Sequence, residues 1–222
     1  MSGSVAPFEN REQAGRELAV ALAEHAGTDC LVLAIPRGGV VVGYEVAVAL
    51  DLDLDVIVPR KIGAPGQPEL AIGAVASWGD HARILDDWSI RYLGVSEEYI
   101  DREVREQLAE VSRRLLAYRE TAEPPNVEGR TVILVDDGIA TGHTTRAAAL
   151  ALRHLNASRV VLAVPVAPLD SLEVIRRDVD ELVCLATPHP FFAVGYWYRD
   201  FAQVSDDEVV RLLGMARERR RT

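Results

Sequence analysis

Short, continuous apolar runs punctuate the chain, and longer stretches with helix-like spacing or helix-start signals lie between them. "LVLAI" (31–35), "LDVIV" (54–58) and "AIGAVA" (71–76) lack the polar alternation of a half-exposed strand. The first is predicted as a strand covered on both faces, and the other two, with 131–135, 159–164 and 181–185, are predicted as strands. Asn10 with Gln13 three residues on resembles a capping box, which opens a helix to about Glu24. Residues 40–50 read as a helix despite their valines. Ser96, followed by Glu97 and Glu98, starts a long helix to about Arg119, and Ser205 with Glu208 starts a C-terminal one. "ARIL" (82–85) is a short strand, "PRKIGAPGQPEL" (59–70) a Pro/Gly-rich loop and "AEPPNVEG" (122–129) a linker. In the second half strands and helices (144–155, 168–177) alternate, which implies βαβ units. The expected class is α/β: an open, mainly parallel twisted sheet flanked by helices.

The length of 222 residues suits a single domain, 1–222, and an apolar fraction near one half supports a core. A formal net charge of -10 argues against nucleic-acid binding that relies on phosphate neutralisation. The basic run "RERRR" (217–221) reads as a frayed, solvated helix end that complements the helix dipole. Cys30 and Cys184 lack metal spacing and read as buried thiols of a reducing compartment. "MSGSVAPFENREQ" has no basic segment followed by an apolar one, and no apolar run is long enough for a membrane span. A soluble, cytoplasmic protein is expected.

One stretch carries chemistry: "VILVDDGIATGHT" (132–144). A buried strand ends in two adjacent carboxylates, Asp136 and Asp137, and a turn of small and hydroxylated residues leads into a helix. In an open parallel sheet ligands bind beyond the carboxyl ends of the strands. Backbone N–H groups of such a turn, backed by a helix N-terminus, cradle a phosphate. The acids would repel a bare phosphate, so they suit another part of the same ligand: vicinal sugar hydroxyls, or a sugar-bound Mg²⁺. A phosphorylated ribose has both ends.

This stretch resembles the ribose-5-phosphate signature of the type I phosphoribosyltransferases. The resemblance implies that Asp136 and Asp137 take the ribose hydroxyls and Mg²⁺, and that Ala140, Thr141, Gly142, His143, Thr144 and Thr145 wrap the 5-phosphate. Two departures stand out: His143, where many members have Gly, and Ala140, where hypoxanthine-guanine enzymes carry a carboxylate proposed to handle the base. "PRGG" (36–39) resembles the family's pyrophosphate loop, with Arg37, Gly38 and Gly39 at the diphosphate. Arg60 and Lys61, at the end of the second strand, add local positive charge for it and join the acid pair as catalytic residues. "IGAPGQPEL" (62–70) falls where the family has its flexible catalytic loop and is expected to act as a lid. "PHPFFAVGYWYRDF" (188–201) resembles the hood segment of hypoxanthine-type enzymes, here about 187–203, in which Phe192, Ala193 and Trp197 would meet a purine-like base. Asp200 comes one position later than the usual acid, and Arg199 takes its place.

The resemblance covers about two thirds of the chain. Residues 77–130 form an insertion that matches no characterised member. Its long helix carries Val104, Leu108, Val111, Leu115 and Leu116 as an apolar stripe, which either covers the core or makes a homodimer face. The implied activity is transfer of ribose 5-phosphate from 5-phosphoribosyl 1-diphosphate, with Mg²⁺, to a small nitrogenous base, releasing pyrophosphate. Two alternatives stand beside it. One is a non-catalytic sensor of the diphosphate or of a nucleotide. The weaker one is a phosphatase- or kinase-like site, which lacks a Walker lysine.

Overall fold

A computed structural model of the protein describes residues 8–75, 83–119 and 126–221. In chain order its elements begin α1 (Arg11–Ala21), a 3₁₀ turn (Ala23–His25), β1 (Leu31–Ala34), α2 (Gly38–Leu50), β2 (Asp53–Val56), β3 (Arg60–Ala64), β4 (Gln67–Val75) and β5 (Arg83–Leu85). They continue with α3 (Asp87–Leu93), α4 (Glu97–Arg119), β6 (Thr131–Val135), α5 (His143–His154), β7 (Arg159–Val166), α6 (Leu169–Ile175) and β8 (Glu181–Ala186). A 3₁₀ turn (Val194–Trp197) and α7 (Asp206–Arg221) close the chain.

The continuous apolar runs make a five-stranded parallel sheet in the order β2-β1-β6-β7-β8. Its side chains divide with period two, as the pleat requires. Val32, Ala34, Ile133, Val135, Val161 and Ala163 face a core shared with α1, α2, α4 and α7. Leu31, Leu33, Val132, Leu134, Val160 and Leu162 face a second core under α5 and α6. Asn10 caps α1 through Oδ1 to the Gln13 N–H (2.8 Å), and Gln13 Oε1 accepts from the Glu9 N–H (2.8 Å). Ser205 Oγ likewise accepts from the Glu208 N–H (3.1 Å) at the start of α7.

Three expectations are corrected. The stretch 59–70 is not a loop: β3 and β4 form an antiparallel hairpin whose turn is short, and β5 joins them in a separate three-stranded sheet. Ile62 and Ile72 anchor the hairpin in the core, so their burial outweighs the Pro/Gly turn signals. Residues 71–75 therefore belong to this small sheet and not to the parallel one. Residue 76 of the expected strand 71–76, residue 82 of the expected strand 82–85, the insertion's 77–82 and 120–125, and 122–125 of the linker lie outside the described residues. Second, α3 went unread; Asp86 caps it, accepting the Trp88 and Ser89 N–H groups (3.1 and 3.2 Å). Third, the basic terminus is not frayed. Arg219 binds Asp51 (2.7 Å) and donates to the carbonyls of Ala47 and Leu52 (3.0 and 3.3 Å), while Arg220 binds Asp53 (2.9 Å). The guanidinium satisfies carbonyls at the C-terminus of α2, where the helix dipole favours a cation.

The long helix α4 covers the core. Val104, Val111 and Leu115 are buried under it, Leu108 is partly buried, and Leu116 stays half exposed. Its last residue, Arg119, forms a buried ion pair with Asp55 on β2 (2.8 Å). Burial nevertheless pushes the Asp55 pKa up, against the pull of Arg119.

Candidate functional site

The strand order reverses direction between β1 and β6, one strand leading to β2 and the other to β7. A crevice opens at such a point, because the connections leave to opposite faces. Ala34 and Val135 are paired in register, and the Ile35 N–H donates to the Val135 carbonyl (2.9 Å). "PRGG" and the acid pair therefore leave the sheet side by side. The Pro36–Arg37 peptide bond is cis.

The two glycines are demanded by that contact. A Cβ on Gly38 would lie 1.9 Å from Asp137 Oδ2, and one on Gly39 would lie 2.9 Å from Asp136 Cα. Asp136 Oδ1 accepts the Asp137 N–H (2.9 Å). Burial pushes its pKa well above the usual carboxylate range, and the neighbouring Asp137 charge adds to this. Asp137 differs: Arg11 Nε donates to its Oδ2 (2.7 Å). The Arg11 guanidinium also donates to the Ala202 carbonyl (2.8 Å) and lies 3.7 Å above the Phe201 ring. Tyr198 donates its hydroxyl to the Asp137 carbonyl (2.5 Å), and burial followed by the Asp137 charge drives its pKa far up. Two adjacent, chemically similar acids are thus made unequal. One is desolvated; the other is held beside a cation.

Arg11 and Tyr198 were missed in the sequence. Arg11 sits in the first turn of α1, where the dipole disfavours a cation. A buried arginine there signals a carboxylate partner, but nothing in the sequence says that the partner is 126 residues away.

Beyond the acid pair the loop 138–142 is fixed from behind. Its Ile139 N–H donates to the Val166 carbonyl (2.9 Å), and Ser171 Oγ donates to the Ala140 carbonyl (2.7 Å). Gly142 has φ +77°, and a Cβ there would lie 2.6 Å from Ile175 Cδ1. The first N–H groups of α5 have no acceptor within their own helix and are left to the loop. Thr145 is buried, while Thr141, His143 and Thr144 are exposed.

Thr141, His143 and Thr144 line a cleft of about 610 Å³ together with Pro36, Arg60 and Lys61. The structure thus brings these loop residues together with Arg60 and Lys61, which open β3 and do not end the second strand as expected, because that strand stops at Val56. The insertion supplies the opposite wall, a contribution the sequence did not show: Tyr99, Gln107 and Arg114 of α4 all line the cleft. Arg60 Nε donates to Gln107 Oε1 (3.0 Å), and the Tyr99 hydroxyl donates to the Gly63 carbonyl (3.1 Å). Arg37 lies elsewhere, in an adjoining cavity of about 370 Å³ that shares Pro36 and Arg114 with the first. There it stands 3.8 Å from Asp206, which also accepts the Tyr118 hydroxyl (2.8 Å). Burial and the Asp206 bond push the Tyr118 pKa up to about 12.

The hood leads away from β8, and the Phe8 N–H donates to the Trp197 carbonyl (2.7 Å). Phe192, Ala193 and Trp197 are not among the residues that line the 610 Å³ cleft. Phe192 is 73% exposed and pairs with the equally exposed Tyr196 (ring centroids 5.9 Å apart). Trp197 is partly buried against Phe191 (6.2 Å). Arg199 binds Glu9 (2.9 Å), and Asp200 accepts the Ala202 N–H (3.0 Å).

With this geometry described, comparison with known proteins is decisive on one point. Residues 2–200 match the model of the phosphoribosyl transferase domain. The chain belongs to this family. It is similar to a Mycobacterium tuberculosis H37Rv protein named "Putative phosphoribosyl transferase Rv0571c", with 47% identity over 209 residues, 94% of this chain and 47% of that protein. The chain therefore spans about half the length of the curated relatives it matches. The crystal structure of TT1426 from Thermus thermophilus superposes with a TM-score of 0.85 at 41% identity, covering 93% of this chain and 97% of that one. The phosphoribosyl transferase match takes in the acid pair, both glycine loops and the whole insertion. It ends before α7, so Asp206 of the second cavity lies outside it. Among the described residues no helix is long and apolar enough to cross a membrane.

Proposed function

We propose that this phosphoribosyl transferase domain binds 5-phosphoribosyl 1-diphosphate with Mg²⁺ and transfers ribose 5-phosphate to a small nitrogenous base, releasing pyrophosphate. The observation that carries this reading is the packing of the acid pair against Gly38 and Gly39 at the switch point, with Thr141, His143 and Thr144 meeting Arg60 and Lys61 of β3 in the adjoining cleft. Residues 140–145 receive the 5-phosphate through first-turn N–H groups. Asp136 and Asp137 accept from the ribose hydroxyls. Gly38 and Gly39 give the diphosphate a close approach to backbone, and Arg37, Arg60 and Lys61 supply positive charge to a leaving group that departs as an anion.

The donor set fits Mg²⁺, which takes one or two carboxylates plus substrate oxygens. Asp136 makes no ion pair among the described residues, and its burial costs least with a cation beside it. Asp137 already has Arg11, so Asp136 is the stronger ligand of the two. When bound, the ion would neutralise diphosphate charge and help orient the ribose. For the acceptor we propose the exposed ring of Phe192, with Ala193 and Trp197 in the same segment.

Pyrophosphate release from the diphosphate over a panel of purine and pyrimidine bases tests the reading. Release with one base class supports it. Tight diphosphate binding with no release over the whole panel favours the sensor alternative. Ala140 motivates that alternative, because no carboxylate stands at its position to exchange a proton with the base.

A further inference from the structure

We infer that Glu24, His25 and Glu181 form a binding site for a divalent transition-metal ion of the zinc class, at the end of the parallel sheet opposite the acid pair. Glu24 and His25 lie in the 3₁₀ turn before β1, and Glu181 opens β8. One donor atom from each of the three lies within 4.8 Å of the others. His25 Nε2 is 3.7 Å from Glu24 Oε1 and 3.8 Å from Glu181 Oε2. Tetrahedral zinc with bonds of about 2.0–2.1 Å sets its ligand atoms about 3.3–3.4 Å apart, so these two separations need to close by roughly half an ångström.

The second observation is the imidazole itself. His25 is 9% exposed, and its Nε2 is buried without a hydrogen-bond partner. A buried polar atom left unsatisfied is costly, and such atoms in native proteins call for an explanation, among them an ion. This one points at two carboxylates. Its other ring nitrogen faces Cys30 Sγ (3.9 Å), so the ring is held from behind. Arg159 donates to Glu181 Oε2 (2.8 Å), the same oxygen that faces His25, and so fixes the carboxylate, as outer partners of metal ligands do. Glu24 is mostly exposed and free to swing inwards. An open cavity of about 410 Å³, lined by Glu24, His25 and Arg159, gives an entry path and room for a water as fourth ligand. One imidazole and two carboxylates select zinc-like ions over Mg²⁺ or Ca²⁺, which prefer oxygen alone. The ion would tie the turn after α1 to the edge strand β8. The other end of α1 carries Arg11, which holds Asp137, and β8 runs on into the hood.

The test is equilibrium dialysis of the chelator-treated chain against Zn²⁺ with excess Mg²⁺, together with visible absorption after Co²⁺ addition. About one equivalent of Zn²⁺ per chain and tetrahedral-type Co²⁺ bands are expected. His25→Gln should abolish both. Glu24→Gln, on an exposed side chain that the fold does not need, should weaken binding by about tenfold or more. The double variant Asp136→Asn, Asp137→Asn should bind Zn²⁺ like wild type, which keeps this site separate from the proposed Mg²⁺ site. Absence of stoichiometric Zn²⁺, wild-type binding by Glu24→Gln, or loss of binding in the double variant would each overturn the assignment.

Discussion

At Asp136 the burial that shapes the site also costs stability. Its pKa in the folded chain stands above the unfolded value of about 3.9. Between those two values the folded state holds more protons than the unfolded one, so stability falls as pH rises. Asparagine keeps an oxygen for the Asp137 N–H and carries no charge. Ligand-free Asp136→Asn should therefore be more stable than wild type at pH 7, with a higher Tm. The same variant should lose most of its response to 5-phosphoribosyl 1-diphosphate. A lower Tm, measured by calorimetry without ligand, would show that the carboxylate is satisfied as it stands. Phe192 poses the opposite case, a large apolar side chain left in water. Phe192→Ala removes little packing, so its Tm should stay within about 1–2 °C of wild type, as for most surface changes. Use of the acceptor base should weaken by roughly 1–3 kcal/mol if the ring stacks on it. Diphosphate binding, read by calorimetric titration, should not change. A matching fall in stability and in both ligand responses would assign Phe192 to packing instead.

Between neighbouring elements the difference between what the sequence showed and what it hid is physical. The parallel sheet was legible because β1, β6 and β7 are covered on both faces, and such burial writes itself as uninterrupted apolar runs. The acid pair and its glycines were legible because they lie in short, local motifs. The β3–β4 hairpin was not: Gly63, Pro65, Gly66 and Pro68 give turn signals, while the residues that fix it, Ile62 and Ile72, find their partners across the fold. The α4 wall of the cleft was hidden for the same reason, since a helix period shows which face is apolar and not what its polar face meets. Arg11 needed a partner at the far end of the chain. The hairpin also changes the expected lid. Its arms are paired and braced by Tyr99, so movement should concentrate at the Pro65–Gly66 turn. Limited proteolysis of the free protein should cut at or beside this turn, and 5-phosphoribosyl 1-diphosphate with Mg²⁺ should suppress the cut. Equal cleavage with and without ligand would make the hairpin a fixed wall.

Over the whole molecule, the candidate site joins parts that the chain keeps far apart: Arg11 near the N-terminus, the loops after β1 and β6, the hairpin, the insertion helix and Tyr198 of the hood. A ligand that engages them together binds the folded state and has no comparable site in the unfolded chain. It should therefore stabilise the molecule by mass action and not by local repair. At about 100 times its Kd, 5-phosphoribosyl 1-diphosphate with Mg²⁺ should add roughly 2.7 kcal/mol, and the gain should keep rising with the logarithm of ligand concentration. For a domain of this size that is on the order of 5–11 °C in Tm. The diphosphate without Mg²⁺ should give less, because the two carboxylates then meet a polyanion unshielded. Asp136→Asn combined with Asp137→Asn should remove most of the gain and leave the protein folded, since Arg11 retains the Ala202 carbonyl and the Phe201 ring as partners. The measurement is a thermal titration of wild type and the double variant side by side. A flat wild-type response at saturating ligand would refute the proposed substrate while leaving the family assignment intact, because that rests on the match over residues 2–200 and not on the ligand.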